Sequence, residues 1–254
     1  VKSGSWFDAA TTCRINARTG RAADYQSYIG LRLVMDVHEY VDLGLSVMWA
    51  TTNVGATAPE EYGDYFAWGE VEPKDVYDWA TYKWCDGTEQ NITKYNAEDC
   101  LTTLLLEDDA AHANWGGEWR MPTKDEFQEL IDYCTFEITQ LNGVKGTWIT
   151  SKINGNRIFV PYAGYYNHGN GGSADKNHLS QQRLWTSTKA TRSTYAWNFY
   201  NQSNEGNTRR CGFPVRPVLP TERELLPPVV PGKRIGVFSV AKDRQVSFSQ
   251  GNLQ

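Results

Sequence analysis

The chain has 254 residues, 40% of them hydrophobic, with a formal net charge of −5 and an isoelectric point near 5.5. That length accommodates one large domain or two small ones, with enough apolar residues for a real core. Lys and Arg are scattered rather than gathered into a basic stripe, which argues against a nucleic-acid partner, and no apolar run is long enough to enter and span a bilayer.

Taken in chain order, residues 1–34 read as irregular chain ending in a short strand from Ile29 to Val34. Tyr40 to Ala50 alternates and is rich in β-formers, a hairpin pattern with its turn near Leu43-Gly44. A turn-rich segment, Asn53 to Gln90, carries Trp68, Trp79 and Trp84, large side chains suited to pinning loops onto a core. A helix is predicted from Asp99 to Asn114, stopped by Gly116-Gly117. A second follows Pro122: Thr123 and Glu126 form a capping box, and Phe127, Leu130, Ile131 and Cys134 lie on one stripe. Short strands are expected at Gly146–Ser151, Arg157–Pro161, Leu184–Ser187, Tyr195–Tyr200 and Gly212–Val218, with a Gly/Asn-rich loop from Tyr166 to Ser180. Residues 220–233 are a proline-stiffened linker, and Ile235 to Phe248 alternates like two strands joined near Lys242-Asp243.

Four ordered blocks carry a family resemblance: Tyr40–Ala50, Gly63–Glu70, Asn114–Thr123, and the ending Leu184–Ser187 with Gly212–Val218. They resemble the C-type-lectin-like fold in its bacterial branch, which includes formylglycine-generating-enzyme-like modules and paralogous surface modules of Bacteroidetes and Fibrobacter. The resemblance covers residues 38–219 and implies an α+β fold: a small twisted antiparallel sheet, two flanking helices and long loops that carry binding. Residues 1–37 resemble the end of a second such module. Residues 234–254 resemble either the opening of a further one or strands that complete the first. In some members, diversity-generating retroelements rewrite the segment before the final strand. Residues 195–209, rich in Asn, Tyr, Ser and Thr, have that composition.

Catalytic and metal chemistry find little support. The sugar-binding lectins of this fold hold calcium through Glu-Pro-Asn and Trp-Asn-Asp tripeptides; here Glu72-Pro73-Lys74 and Trp197-Asn198-Phe199 break both. The five cysteines (Cys13, Cys85, Cys100, Cys134, Cys211) include no C-x-x-C pair. Cys85 with Cys100 is the one pair worth considering as a disulfide. Oxidation of the formylglycine-generating type needs two neighbouring thiolates, and Cys13 and Cys211 fall in different modules. His38, His112, His168 and His178 are dispersed, and no Gly-x-Ser-x-Gly elbow is present.

The resulting expectation is a non-enzymatic, surface-displayed or secreted adhesion module that needs no cofactor or metal and engages a protein or glycan. Its contact residues are expected among Tyr195, Trp197, Asn198, Tyr200, Asn201, Gln202, Asn204, Glu205, Asn207 and Arg209; alternation sends some of them inward, and the outward ones form a polar-aromatic surface. The alternatives are a structural repeat of a surface or pilus-like protein and a formylglycine-generating-like oxidase. Val1, in place of an initiator Met, makes the chain read as a mature or excised piece from which an export signal has been removed.

Overall fold

The computed structural model describes residues 38–168, 181–221, 237–241 and 244–247, the last two as backbone only. The expected module 1–37, the strand at Ile29–Val34, most of the Tyr166–Ser180 loop and the linker after Thr221 lie outside the described residues.

Strand β1 (Tyr40–Val41) pairs antiparallel with β2 (Val47–Ala50), as the alternation predicts, and β2 takes the distant β11 (Val218–Pro220) on its other side. Strand β3 (Tyr65–Phe66) pairs with β10 (Phe213–Pro214). Two larger antiparallel sheets follow: β4 (Cys134–Leu141), β5 (Val144–Ser151) and β6 (Arg157–Pro161), and then β7 (Arg183–Lys189), β8 (Tyr195–Tyr200) and β9 (Ser203–Thr208). Strands β12 (Val237–Ala241) and β13 (Arg244–Ser247) pair as a separate hairpin at the place the sequence pattern marks.

The expectation of one α+β sheet flanked by two substantial helices is overturned. The chain is mostly β, 34% strand against 11% helix, and within residues 38–221 its strands divide among four small sheets. Among the described residues the α-helices are α1 (Ala110–Trp115), six residues long, and α2 (Lys124–Tyr133), ten.

The first expected helix shrinks for a local reason. Asp99 accepts the backbone N–H groups of Tyr95, Asn96 and Leu101, and such side-chain bonds compete with helical ones. Residues 102–104 are then drawn out against β7, where Leu104 N–H donates to the Ser187 carbonyl and Lys189 N–H to that of Thr102. Only after Asp109, whose carboxylate caps the N–H groups of Ala111 and His112, does the helix begin. Helix α2 forms as the capping box predicts, with Thr123 and Glu126 each accepting the other's backbone N–H.

The core lies between α2 and the sheets. Phe127 sits 5.0 Å from both Trp49 and Phe199, and all three rings are buried. A second cluster centres on Trp68, Trp185 and Phe213. The Trp185 indole donates to the Phe66 carbonyl and the Trp68 indole to that of Thr186, so the two rings tie the β3 segment to β7. Arg216, wholly buried, has no carboxylate partner among the described residues. It donates to the carbonyls of Ala50, Thr51 and Phe159 and to Asn53, and desolvation pulls its guanidinium down to about 9. Its role is to tie the strand ends together. Gly63 has φ +73°, and a Cβ there would lie 2.3 Å from the Val54 carbonyl oxygen, so this turn closes only around glycine.

Candidate functional site

Strands β8 and β9 form a tight hairpin in the register Tyr195–Thr208 through Tyr200–Ser203. Its two-residue loop, Asn201-Gln202, has φ of 42° and 74°, the positive values that two-residue hairpins require. Residues paired across an antiparallel ladder share a face, so the register sorts every side chain. Tyr195, Trp197 and Phe199 share one face with Thr208, Gly206 and Asn204. Ala196, Asn198 and Tyr200 share the other with Asn207, Glu205 and Ser203.

The contact residues expected from alternation therefore do not form a single surface. Both faces of β8 are covered: Phe199 packs under α2, while Ala196 enters the Trp68–Trp185 cluster. On the second face Asn198 is buried, accepting from Arg183 Nη1 at 3.1 Å and donating to the Glu205 carbonyl at 2.7 Å. Tyr200 lies beneath the Arg183 guanidinium, 4.0 Å from its ring centre, and Glu205 reaches the same cation at 3.8 Å. Asn207 turns back onto the Thr208 N–H.

Arg209, past the end of β9, is removed from the surface altogether. It donates to the carbonyls of Lys94, Tyr95 and Tyr195 and lies 4.6 Å from the Trp68 ring centre. Asn201 accepts the Gln182 N–H at the hairpin tip, and Gln202 beside it is exposed.

What stays partly exposed is the Tyr195–Trp197 end of the first face, beyond the buried Phe199. Trp197 is half-buried, with the Lys124 ammonium 4.3 Å from its ring centre, and Tyr195 carries the Arg192 guanidinium at 4.8 Å. Trp197's cross-strand partner is Gly206, which offers no side chain to cover the indole. Asn204 fixes the β9 side by donating to the Lys124 carbonyl and to Gln128 Oε1. Sequence alone does not indicate that Lys124, Gln128 and Arg192 belong here, because they arrive from α2 and from the β7–β8 turn.

A cleft of about 460 Å³ lies elsewhere, between Asp78–Ala80 and Gly87–Gln90, with Trp79 on its wall. Its lining is acidic or neutral and contains no cation. It is formed by the turn that the Cys85–Ile92 bridge closes, a pairing with no local sequence signature.

The remaining reactive groups are engaged in the scaffold. Cys85, Cys100, Cys134 and Cys211 are free thiols, so the pairing considered for Cys85 and Cys100 does not form. Burial pushes the Cys211 thiol up, the reverse of nucleophile activation, and its sulfur lies 3.0 Å from Thr208 Oγ1. Cys13 lies outside the described residues. Glu70 pairs with Lys74 at 2.8 Å and accepts the Lys83 N–H. Among the described residues no group of three or more His, Cys, Asp or Glu is placed to hold a metal ion. His168 Nδ1 accepts the Tyr77 N–H; His178 lies outside the described residues. No helix among the described residues is long and apolar enough to cross a membrane.

No family model, curated protein or solved structure matches the chain.

Proposed function

We propose that this chain is a non-enzymatic ligand-binding module of a surface-displayed or secreted protein, and that it recognises a protein or glycan through the Tyr195–Trp197 face of β8. The observation that carries this reading is the Trp197 ring. It is held in the middle of a three-stranded ladder, open toward Gly206 and flanked by the Lys124 ammonium. A rigid aromatic platform loses little side-chain entropy on binding, and a neighbouring ammonium adds a donor for hydroxyl or carboxylate oxygens. The two cations, Lys124 and Arg192, favour a hydroxyl-rich or acidic ligand over a basic one.

The test is a glycan and protein array probed with wild type and with single variants. Trp197→Ala is expected to weaken any captured ligand at least about tenfold, the effect of a central aromatic anchor. Tyr200→Ala, on the opposite face beneath Arg183, is expected to change affinity by less than about twofold. Equal losses in both variants would sink the assignment of the face.

A second reading, a structural repeat whose 195–209 segment meets only neighbouring modules, is favoured by the internal use of Asn198, Asn207 and Arg209. It predicts that the array captures nothing.

A further inference from the structure

The outer edge of β4 is an open pairing site. The strand lies at one end of the order β4–β5–β6, and among the described residues only β5 pairs with it. The Asn142-Gly143 loop makes Leu141–Val144 the closing bonded pair, so residues 135, 137, 139 and 141 aim their backbone groups at β5. The phase is corroborated one strand over: Lys145 turns its carbonyl to β6, accepting the Tyr162 N–H, which leaves Val144 and Gly146 facing β4. Phe136, Ile138 and Gln140 therefore point their N–H and C=O groups outward, and among the described residues nothing bonds to them.

Edges of this kind are usually blunted by proline, by bulges or by several charges. β4 has none of these defences. Its eight residues, Cys-Thr-Phe-Glu-Ile-Thr-Gln-Leu, pair with β5 without a register shift, include no proline and carry a single charge, Glu137. Ile138 is 57% exposed on the face that Phe136 shares with the core.

We infer that β4 pairs antiparallel with β4 of a second copy of this chain, about a two-fold axis through Ile138. Hydrogen-bond phase requires outward-facing residues to meet one another, and only this register pairs Phe136, Ile138 and Gln140 entirely among themselves. With the axis at Ile138, Ile138 meets the partner's Ile138, and Phe136 meets the partner's Gln140. Each of these pairs joins outward-facing residues that exchange two backbone bonds. Moving the axis to Phe136 would pair Ile138 with the partner's Cys134, whose N–H already caps α2 by donating to Leu130. Moving it to Gln140 would run Ile138 against the partner's turn residue Asn142. The chosen register also sets Glu137 opposite the partner's Thr139, so no like charges face each other, and the exposed Ile138 side chains meet at the axis. The two three-stranded sheets become one continuous six-stranded sheet.

Sedimentation velocity of the full chain over roughly 1–200 µM tests this, since a dimer responds to concentration by mass action. Wild type is expected to shift from monomer to dimer. Ile138→Pro removes an N–H that faces away from β5, so it spares the internal ladder. It is expected to raise the dissociation constant at least tenfold while leaving the circular dichroism spectrum unchanged. Should that variant fail to fold, Ile138→Lys places two ammonium groups at the axis and serves the same purpose. Cysteine cross-linking reads the register. Paired residues there have Cα atoms about 5.5 Å apart, within the disulfide range of about 4.4–6.8 Å. Ile138→Cys should thus link to its own copy on oxidation, and Gln140→Cys should not. A chain that stays monomeric throughout, or a dimer indifferent to Ile138→Pro and Ile138→Lys, overturns the inference.

Discussion

The two hairpins, β4–β5 and β8–β9, are built on the same plan and end up in opposite situations. Each turns through two residues of positive φ, Asn142-Gly143 at 50° and 84° and Asn201-Gln202 at 42° and 74°. Strand β8 is covered on both faces, and β9 is fastened to α2 through Asn204. Strand β4 makes a regular ladder on one side and leaves the other open. The amide-rich hairpin, whose composition suggests a contact surface, uses most of its polar groups to hold itself together. Among the described residues, the hairpin with ordinary β-forming residues leaves backbone groups and an isoleucine unpartnered.

The comparison breaks if the buried polar groups around β8–β9 prove dispensable. Arg209→Ala leaves the carbonyls of Lys94, Tyr95 and Tyr195 without their donor and opens a cavity over Trp68. Urea denaturation should show a loss of about 3–5 kcal/mol. The matching change on the other sheet, Arg157→Ala, removes a cation 4.2 Å from the Trp148 ring centre on an exposed side chain. That loss should stay below about 1 kcal/mol.

An intermediate effect is expected inside the other hairpin. A Cβ on Gly146 of β5 would lie 2.3 Å from Phe159 Cζ and 2.6 Å from the Val160 carbonyl oxygen. Gly146→Ala should therefore cost about 1–3 kcal/mol through overpacking, by the same measurement. Asn198→Leu should cost about 1–2 kcal/mol, because the Glu205 carbonyl and Arg183 Nη1 each lose a partner. A neutral result at Asn198 would return that residue to the candidate contact surface.

Which parts were legible in the sequence follows from how local their causes are. Helix α2 is readable because its start is written within four residues, Thr123 to Glu126, and its apolar stripe within two further turns. Strands β6 and β8 have the predicted bounds, Arg157–Pro161 and Tyr195–Tyr200. Strand β9, Ser-Asn-Glu-Gly-Asn-Thr, has almost no strand propensity and exists because β8 offers it a ladder. The helix expected from Asp99 is lost to side-chain caps and to pairing with β7, a partner about 85 residues away in sequence. The candidate site divides along the same line. Trp197 and Tyr195 are visible as aromatics on a strand, but assigning a single solvated face to β8 fails because apolar residues occupy both parities, Phe199 on one and Ala196 on the other. Such a strand is buried on two sides. Lys124, Gln128 and Arg192 become neighbours of that face only through the packing of α2 and the β7–β8 turn.

The smallest expected effects lie in the two turns, where the hairpins share one backbone geometry. Gln202 is exposed and holds φ at 74°, a conformation that costs a side-chain-bearing residue energy and glycine almost none. Gln202→Gly relieves that strain, but the unfolded chain gains freedom, so the two effects partly cancel. The net should be stabilisation by about 0.5 kcal/mol. Gly143 has φ 84°, and a methyl group there would meet no atom within 4 Å, so Gly143→Ala tests backbone strain without a clash. It should cost about 1 kcal/mol. Opposite signs in the two variants, read from urea midpoints at unchanged slope, would show that both hairpins depend on the same turn geometry. A destabilising Gln202→Gly would mean that the Gln202 side chain contributes something the backbone does not explain, and the β8–β9 tip would then merit inclusion in the contact face.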